Sequence, residues 1–160
     1  MLRPFDKLPA PLRKDEIRPY YESLAHKRGQ LLIKRCLGWV IALLLCVVLS
    51  PFLLIIALAI KLDSPGPVLY KQERVTQYGR HFHIYKFRTM VANADKIGAA
   101  VTKSDDSRIT RVGHFLRRLH LDEFSQLLNV LKGDMTFVGV RPEVPKFVAQ
   151  YTPEMWATLL

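Results

Sequence analysis

An uncharged, strongly apolar stretch from Cys36 to Ile60 constrains the fold of this chain more than any other feature. A helix of that length, at about 1.5 Å per residue, extends roughly 37 Å, more than the ~30 Å hydrocarbon core of a bilayer. The stretch is too long for the apolar region of a signal peptide, and no small-residue cleavage site follows it. Lys34, Arg35 and Lys61 border it, and we expect these three residues at a membrane interface.

Two geometries are open for the predicted membrane helix, which we place at residues 34–61. A plain spanning helix is the simplest interpretation of its hydropathy. Pro51 follows Ser50 past the middle of the stretch, where a proline removes a backbone donor and favours a kink. The Ser50 hydroxyl is expected to bond to a nearby carbonyl that the kink leaves free. Basic residues at both ends favour a re-entrant helix that bends at Ser50-Pro51 and returns to the same face.

The formal net charge of +10 over 160 residues indicates an anionic partner, such as nucleic acid, an anionic membrane or a phosphorylated substrate. Nucleic acid is the weakest of these, because the chain has no recognisable binding motif and no pattern of stacking aromatic residues. The chain also lacks a P-loop and a G-x-G-x-x-G motif. Its two cysteines lie inside the apolar stretch and form neither a disulfide framework nor a zinc motif.

Two adjacent carboxylates, Asp122 and Glu123, precede a helical apolar pattern over residues 122–131. The apolar positions, which we expect on one packed face, are Leu121, Phe124, Leu127, Leu128 and Leu131. Asp122 would lie near the N-terminus of that helix, where unpaired N–H groups and the helix dipole favour a negative charge. A carboxylate there can cap the helix, bind a metal or attack an electrophile.

Basic residues beside the predicted turns and short strands are candidates for binding phosphate. The planar fork of arginine donates two parallel hydrogen bonds to phosphate, and lysine supplies a point charge. A solvated basic face on a membrane-bound protein is the alternative interpretation. The candidates are Lys86, Arg88, Arg111, Arg117 and Arg141.

Several further elements are expected around these residues. Alternating patterns at 68–71 and 82–87 predict two strands of a hairpin. Helices are predicted at 90–97, at 112–120 and after Thr152-Pro153, and a short strand at 135–138. Residues 1–11 are expected to be irregular, and 15–29 to form a surface helix that ends at Gly29.

Taken together, these blocks resemble the bacterial sugar transferase family, monotopic phosphoglycosyl transferases that start glycan assembly on a polyprenyl lipid. The similarity covers about residues 34–143. The matching stretches are Ser64–Val75, Tyr85–Met90, Ser107–Gly113, Leu116–Arg118, Leu121–Glu123, Gln126-Leu127, Asn129-Val130, Lys132–Met135, Val138-Gly139 and Arg141–Glu143.

The resemblance implies an α+β fold, mostly helical, with one re-entrant membrane helix bent at Ser50-Pro51 and a small interfacial globule with a short β-hairpin. Residues 1–33 would then be an N-terminal tail with an interfacial amphipathic segment, 34–61 the membrane helix, and 62–160 the catalytic domain. That domain would face the cytoplasm at the bacterial inner membrane. Family members normally continue past the position of Leu160, so we expect the C-terminal part of the family fold to be missing.

The resemblance also implies an activity, the transfer of a phosphosugar from a UDP-sugar to undecaprenyl phosphate with release of UMP. This is the first membrane step of exopolysaccharide, capsule or glycoconjugate synthesis. Asp122 and Glu123 would carry the chemistry and hold Mg²⁺, with a covalent phosphosugar on the enzyme. Thr76 and Val140 depart from the family, where Gly and Pro are usual. The alternative is an inactive, truncated relative that acts as a membrane-anchored interaction protein.

Overall fold

A computed structural model describes residues 2–94 and 106–160, which are mostly helical with one two-stranded sheet. The α-helices are α1 (Arg18–His26), α2 (Arg28–Asp63), α3 (Arg111–Arg118), α4 (Leu127–Lys132) and α5 (Pro145–Val148). The strands are β1 (Leu69–Thr76) and β2 (Arg80–Phe87). Short 3-10 turns lie at Phe5–Lys7, Ala10–Leu12, Asp15–Ile17, Gln77–Gly79, Leu121–Gln126 and Met155–Leu159.

Helix α2 begins before and ends after the predicted 34–61 and runs continuously through Pro51. The Ser50 hydroxyl donates to the Val47 carbonyl at 2.8 Å. Val47 is four residues before Pro51, so its carbonyl is the one that the missing proline N–H would have bonded. The expected side-chain bond is therefore confirmed, and it keeps this carbonyl paired.

Among the described residues, α2 is the one helix long and apolar enough to cross a membrane. Most of its apolar side chains are exposed, with Val40, Val47 and Leu54 all more than half accessible. A core helix of a soluble protein would bury these side chains instead. The exposed apolar surface therefore indicates that α2 associates with a membrane.

The globule packs along both halves of α2. In the first half, Ala42 is fully buried against Leu127 and Val130 of α4. The second half packs, through Ile56 and Ile60, in a cluster that includes Phe87 and Leu116. Ala42 and Ile60 are 18 positions apart, or roughly 27 Å along the helix. One face of α2 is therefore covered by the globule over most of its apolar length.

The predicted hairpin is confirmed, with a first strand longer than expected. Strands β1 and β2 pair antiparallel from Leu69 opposite Phe87 to Thr76 opposite Arg80. In the connecting turn, Tyr78 (φ 64°) and Gly79 (φ 75°) both adopt the left-handed conformation that reverses the chain. The register places alternate residues of β2 on the face that α4 covers.

The predicted strand at 135–138 is wrong. Residues 135 and 136 have no regular secondary structure, residues 137 and 138 form bends, and the Thr136 hydroxyl donates to the Val138 carbonyl at 2.7 Å. This local bond replaces pairing with a neighbouring strand. The helix predicted at 90–97 is also wrong at its start, because Met90 forms an antiparallel bridge with Ile109. Residues 95–97 of that prediction lie outside the described part of the chain.

The N-terminal segment is more ordered than predicted. Its turns bury a small cluster, Leu8, Leu12, Ile17 and Tyr21, against residues near the C-terminus that include Trp156 and Leu160. Helix α1 ends at His26, and Gly29 lies inside α2 instead of ending the preceding helix. Residues before α2 and residues after it therefore share one hydrophobic core.

Candidate functional site

Asp122 and Glu123 lie on a 3-10 turn, Leu121–Gln126, that leads directly into α4. His120, before the turn, has a left-handed φ of 55°. The predicted helix is therefore correct in position, but its first part has three residues per turn. That change of period corrects the predicted packed face: Phe124 and Leu128 are exposed, whereas Leu127 and Val130 are buried.

Asn129 connects α4 to strand β2 through two hydrogen bonds. Its side chain is completely buried; Oδ1 accepts the Tyr85 backbone N–H at 2.9 Å, and Nδ2 donates to the His83 carbonyl at 2.8 Å. Because α4 is held against β2 in this way, Lys86 of the strand lies beside the carboxylates. Asn129 belongs to one of the blocks that resemble the family, but its role was not predicted; the signal for it was an asparagine within an apolar helical pattern.

Glu123 is held between two cations. Its Oε1 accepts Lys86 Nζ at 2.8 Å and an Arg141 guanidinium nitrogen at 3.3 Å. Partial burial tends to raise the pKa of Glu123, but the hydrogen bond and charge of Lys86, the charge of Arg141 and a hydrogen bond with Gln126 outweigh it. The net pKa is lowered. Glu123 is thus an ionised, fixed carboxylate, and Gln126 is a contact that the sequence analysis did not find.

Asp122 has different surroundings. Its pKa is raised, mainly by burial and further by the charge of Glu123, while the charges of Lys86 and Arg117 act in the opposite direction. No ion pair to its carboxylate forms within the described part of the chain. Desolvation therefore outweighs the helix terminus, which was expected to favour the negative charge of Asp122. An unpaired carboxylate of raised basicity is suited to attack an electrophile.

Arg117 and Arg141 reach the carboxylates from separate elements. Arg117, on α3, donates through Nε to the Thr89 hydroxyl at 2.8 Å. Gly113 lets α3 approach that segment, since a Cβ there would lie 2.0 Å from the Thr89 carbonyl oxygen. Arg141 lies on a loop held to β1 by the Val75 N–H bond to the Glu143 carbonyl, at 2.8 Å.

Arg88 is not placed beside the carboxylates by any described contact, in contrast to the prediction that it binds phosphate. It is only 6% exposed, and its guanidinium donates to the carbonyls of Ser64 (2.6 Å) and Pro65 (3.0 Å) and to the Ser64 hydroxyl (2.8 Å). These groups follow the C-terminal end of α2, where a cation is favoured. These contacts are those of a group that caps the end of α2, and the phosphate-binding role of Arg88 stays a prediction.

Of the other predicted basic residues, Arg111 lies away from the carboxylates, whereas Lys34 and Arg35 share a cleft with Glu123. Arg111 is exposed at the start of α3, next to an apolar groove. Lys34 and Arg35, expected at the membrane interface, line a broad cleft of about 1420 Å³ whose wall also includes Glu123 and Arg141. Arg80 and Lys132 line the same cleft. Its basic lining suits a diphosphate, and it opens beside Glu123.

The carboxylate pair fits a magnesium ion held jointly with substrate phosphates. Mg²⁺ commonly binds through one or two carboxylates and completes its shell with water and phosphate oxygens. Asp122 and Glu123 supply such a pair, although Lys86 and Arg141 already donate to Oε1 of Glu123. The described residues contain no group of three metal-ligating side chains, so a site made of protein ligands alone is not present among them.

Comparison with known proteins identifies similar sequences. The sequence profile described as Bacterial sugar transferase matches residues 29–159. An Aeromonas hydrophila protein named UDP-N-acetylgalactosamine-undecaprenyl-phosphate N-acetylgalactosaminephosphotransferase is 46% identical over 123 residues, covering 77% of this chain and 29% of the relative. A Bacillus subtilis protein, a putative undecaprenyl-phosphate N-acetylgalactosaminyl 1-phosphate transferase by name, is 42% identical over 134 residues, 83% of this chain and 75% of that protein.

A third relative, from Escherichia coli, is named UDP-glucose:undecaprenyl-phosphate glucose-1-phosphate transferase. It is 46% identical over 121 residues, which cover 75% of this chain and 26% of the relative. The chain therefore spans between about a quarter and three quarters of the length of these relatives.

Proposed function

The chain belongs to the bacterial sugar transferase family, and from that premise we propose that it transfers a phosphosugar from a UDP-sugar to undecaprenyl phosphate and releases UMP. The observation that carries the proposal is the contrast within the carboxylate pair. Glu123 is ion-paired and fixed, whereas the neighbouring Asp122 is half-buried, unpaired among the described residues and raised in pKa. A carboxylate nucleophile beside a second, ionised carboxylate that can help to hold a metal ion suits a two-step phosphoryl transfer.

In the first step, a carboxylate oxygen of Asp122 forms a bond to the phosphorus that bears the sugar. The bond from that phosphorus to the bridging oxygen breaks, and its electron pair leaves with UMP. In the second step, a phosphate oxygen of the lipid attacks the same phosphorus. The bond to Asp122 breaks, the carboxylate is restored, and the product is a sugar linked to the lipid through a diphosphate.

The basic residues would stabilise charge during both steps. Lys86 and Arg141 hold Glu123 and lie where they can also donate to diphosphate oxygens. Arg117, whose charge acts on Asp122, would orient the phosphosugar group. Mg²⁺, when bound with Glu123 and Asp122, would offset negative charge on the diphosphate and the leaving group.

We further propose a re-entrant position of α2 at the inner membrane, with the globule on the cytoplasmic side. The packing along both halves of α2 supports this proposal. A straight spanning helix would carry the globule, including Lys86, Glu123 and Arg141, into the hydrocarbon, where charged groups are costly. With both ends of α2 on one side, the globule lies at the surface where a lipid phosphate is available. A role in exopolysaccharide or related glycan synthesis is in keeping with a 50% identical Rhizobium relative named Exopolysaccharide production protein PSS.

Intact-mass measurement of the covalent intermediate tests the reaction. The protein in lipid nanodiscs is mixed with Mg²⁺ and either UDP-N-acetylgalactosamine or UDP-glucose, without lipid acceptor. We expect a phosphosugar adduct on the wild-type protein, a slower adduct in Glu123→Gln and none in Asp122→Asn. Both substitutions preserve side-chain shape, so folding should be retained.

Two results would count against the proposal. An adduct that persists in Asp122→Asn would move the nucleophile to another carboxylate and leave Asp122 as a metal ligand. A wild-type protein that neither forms an adduct nor releases UMP with a panel of UDP-sugars would favour the alternative, a membrane-anchored interaction protein.

A further inference from the structure

A second surface feature lies outside the basic cleft. An apolar groove of about 420 Å³ runs between the second half of α2 and helix α3. Phe52, Ile55 and Ala59 line it from α2, Phe115 from α3 and Leu121 from the turn that follows. Arg111 is the only charged residue among its lining side chains.

The groove is lined by large apolar side chains that remain accessible. Ile55 is 65% exposed and Phe115 is 50% exposed, although α3 is otherwise a strongly amphipathic helix that buries Leu116. Exposed apolar surface of this kind marks a site for an apolar partner. Because the groove continues the exposed apolar surface of α2, its occupant approaches from the membrane.

Two observations narrow the chemistry of the occupant. Leu121 lines the groove and is the residue immediately before Asp122, so one end of the groove adjoins the turn that carries the carboxylate pair. Arg111 is exposed at the rim, and no hydrogen bond or ion pair joins its side chain to another residue in the described ranges. An apolar channel with one uncompensated cation complements an apolar chain that carries an anionic head group.

We propose that this groove binds the first isoprene units of the polyprenyl phosphate acceptor, with Arg111 as the rim cation that attracts its phosphate. The inference deepens the proposed function and rests on it. From Phe52 to Ala59 the groove covers only about 10 Å of α2, so it contacts the units nearest the phosphate while the rest of the chain stays in the bilayer. Short and long polyprenyl phosphates should therefore use it equally.

Photolabelling tests occupancy independently of catalysis. A polyprenyl phosphate with a diazirine in its first isoprene units is added to the protein in phosphatidylglycerol-containing vesicles and irradiated. We expect labelled peptides from the Phe52–Ala59 and Arg111–Leu121 regions. Ile55→Trp, which fills the groove, should abolish the labelling, whereas Leu54→Trp should not, because Leu54 is exposed on α2 but does not line the groove.

Competition with unlabelled lipids shows whether the groove binds polyprenyl phosphate or an ordinary membrane lipid. Excess unlabelled polyprenyl phosphate should suppress the labelling, and added phosphatidylglycerol should not. Equal competition by both lipids would show an ordinary site for membrane lipid and would overturn the proposal, as would equal labelling of the two tryptophan variants.

Kinetics separate this groove from the donor site. Phe115→Ala should raise the KM for the lipid acceptor at least about tenfold, the effect of losing an apolar contact in a substrate pocket. Leu119→Ala, an exposed apolar residue of the neighbouring surface outside the groove, should stay within about twofold. Arg111→Gln should raise the KM for the acceptor and leave the maximal rate of transfer nearly unchanged.

Measuring adduct formation without the acceptor distinguishes failure of the groove assignment from failure of the proposed transferase function. All these variants should form the phosphosugar adduct at the wild-type rate in the absence of acceptor. A matching loss of adduct formation in Phe115→Ala would show a structural role and contradict the groove assignment. If the wild-type protein forms no adduct at all, the proposed function fails, but photolabelling still reports whether the groove holds a prenyl chain.

Discussion

At the scale of single residues, the pKa values of the neighbouring carboxylates Asp122 and Glu123 are shifted in opposite directions because their surroundings differ. The pKa of Asp122 is raised, chiefly by burial, and the charge of Lys86 lowers it in part. Since the ionised form is the nucleophile, adduct formation should fall as the pH drops through this raised pKa. The acidic limb of the pH–rate profile, measured for adduct formation at saturating donor, should lie above the pH expected for an ordinary aspartate.

Two substitutions should move that acidic limb in opposite directions. Lys86→Met removes a cation that favours ionised Asp122, so the limb should shift to higher pH. Glu123→Gln removes an anion that disfavours ionisation, so the limb of its residual rate should shift to lower pH. Shifts in the same direction, or no shift in either variant, would show that a different group controls the profile.

Two arginines that the sequence marks as phosphate-binding candidates should lower the stability by different amounts when they are replaced. Arg88→Ala should lower the free energy of unfolding by about 3 kcal/mol, because the carbonyls of Ser64 and Pro65 lose their buried cationic donor. Arg141→Ala should change stability by only about 0.5 kcal/mol, since the side chain is 73% exposed and its ion pair is screened by solvent. Denaturant titration in detergent measures both values.

The rate of adduct formation provides a second comparison of the Arg88→Ala and Arg141→Ala variants. Arg141→Ala should cost about 1.5–3 kcal/mol of transition-state stabilisation in adduct formation, the range for a hydrogen bond to a charged group. For Arg88→Ala, two results together would contradict the capping role: stability equal to that of the wild type, and loss of donor binding. They would instead support the phosphate-binding role that the sequence predicts for Arg88.

At the scale of elements, helix α2 lacks one backbone hydrogen bond at Ser50-Pro51, because Pro51 has no N–H to donate. The serine hydroxyl pairs the Val47 carbonyl that Pro51 cannot, which stabilises the helix without the backbone bond. Pro51→Ala restores the donor and should shift the population from the re-entrant toward a spanning position. Single cysteines at Ser23 and Ser107, after replacement of Cys36 and Cys46, report the side of each flank in intact cells.

The labelling pattern decides between the two geometries. In a Pro51-containing protein, an impermeant maleimide should react with neither cysteine until the inner membrane is permeabilised. With Pro51→Ala, a fraction of molecules should expose one of the two. Asymmetric labelling of the unchanged protein would establish a spanning helix and contradict the re-entrant proposal.

At the scale of the whole molecule, the residues before α2 and the end of the chain form one structural unit. Leu12 is completely buried in a cluster that Trp156 and Leu160 complete. Leu12→Ala should therefore cost about 2–5 kcal/mol in the free energy of unfolding, the range for removing a buried leucine side chain. Phe147→Ala serves as the control, because Phe147 is 53% exposed and its loss should cost far less.

Protease sensitivity tests the same unit independently of global stability. If the cluster holds the N-terminal turns in place, Leu12→Ala should expose the basic residues before α1 to trypsin. Cleavage at Arg13 and Lys14 should then accelerate while the cleavage pattern of Phe147→Ala stays unchanged. Equal rates in both variants would show that these turns are not held by the cluster.

Local patterns in the chain were sufficient for several conclusions. The apolar stretch, the β-hairpin, the helix at 112–120 and the Ser50 bond to a freed carbonyl all depend on residues close in sequence, and the structure agrees with them. The family resemblance also came from short ordered blocks, and the match to residues 29–159 confirms it. Such features are readable because hydropathy, helical period and turn chemistry act over a few residues.

Tertiary contacts decided what local patterns could not. Whether Arg88 faces a substrate or the end of α2 depends on residues more than 20 positions away, and so does the pairing of Glu123 with Lys86. The pKa of Asp122 follows from burial, which is a property of the packed globule and not of the Asp-Glu sequence. The sequence by itself determined the long apolar helix, the hairpin and the family to which the chain belongs. Only the folded structure decided which charges meet, because desolvation and ion pairing depend on distance in space.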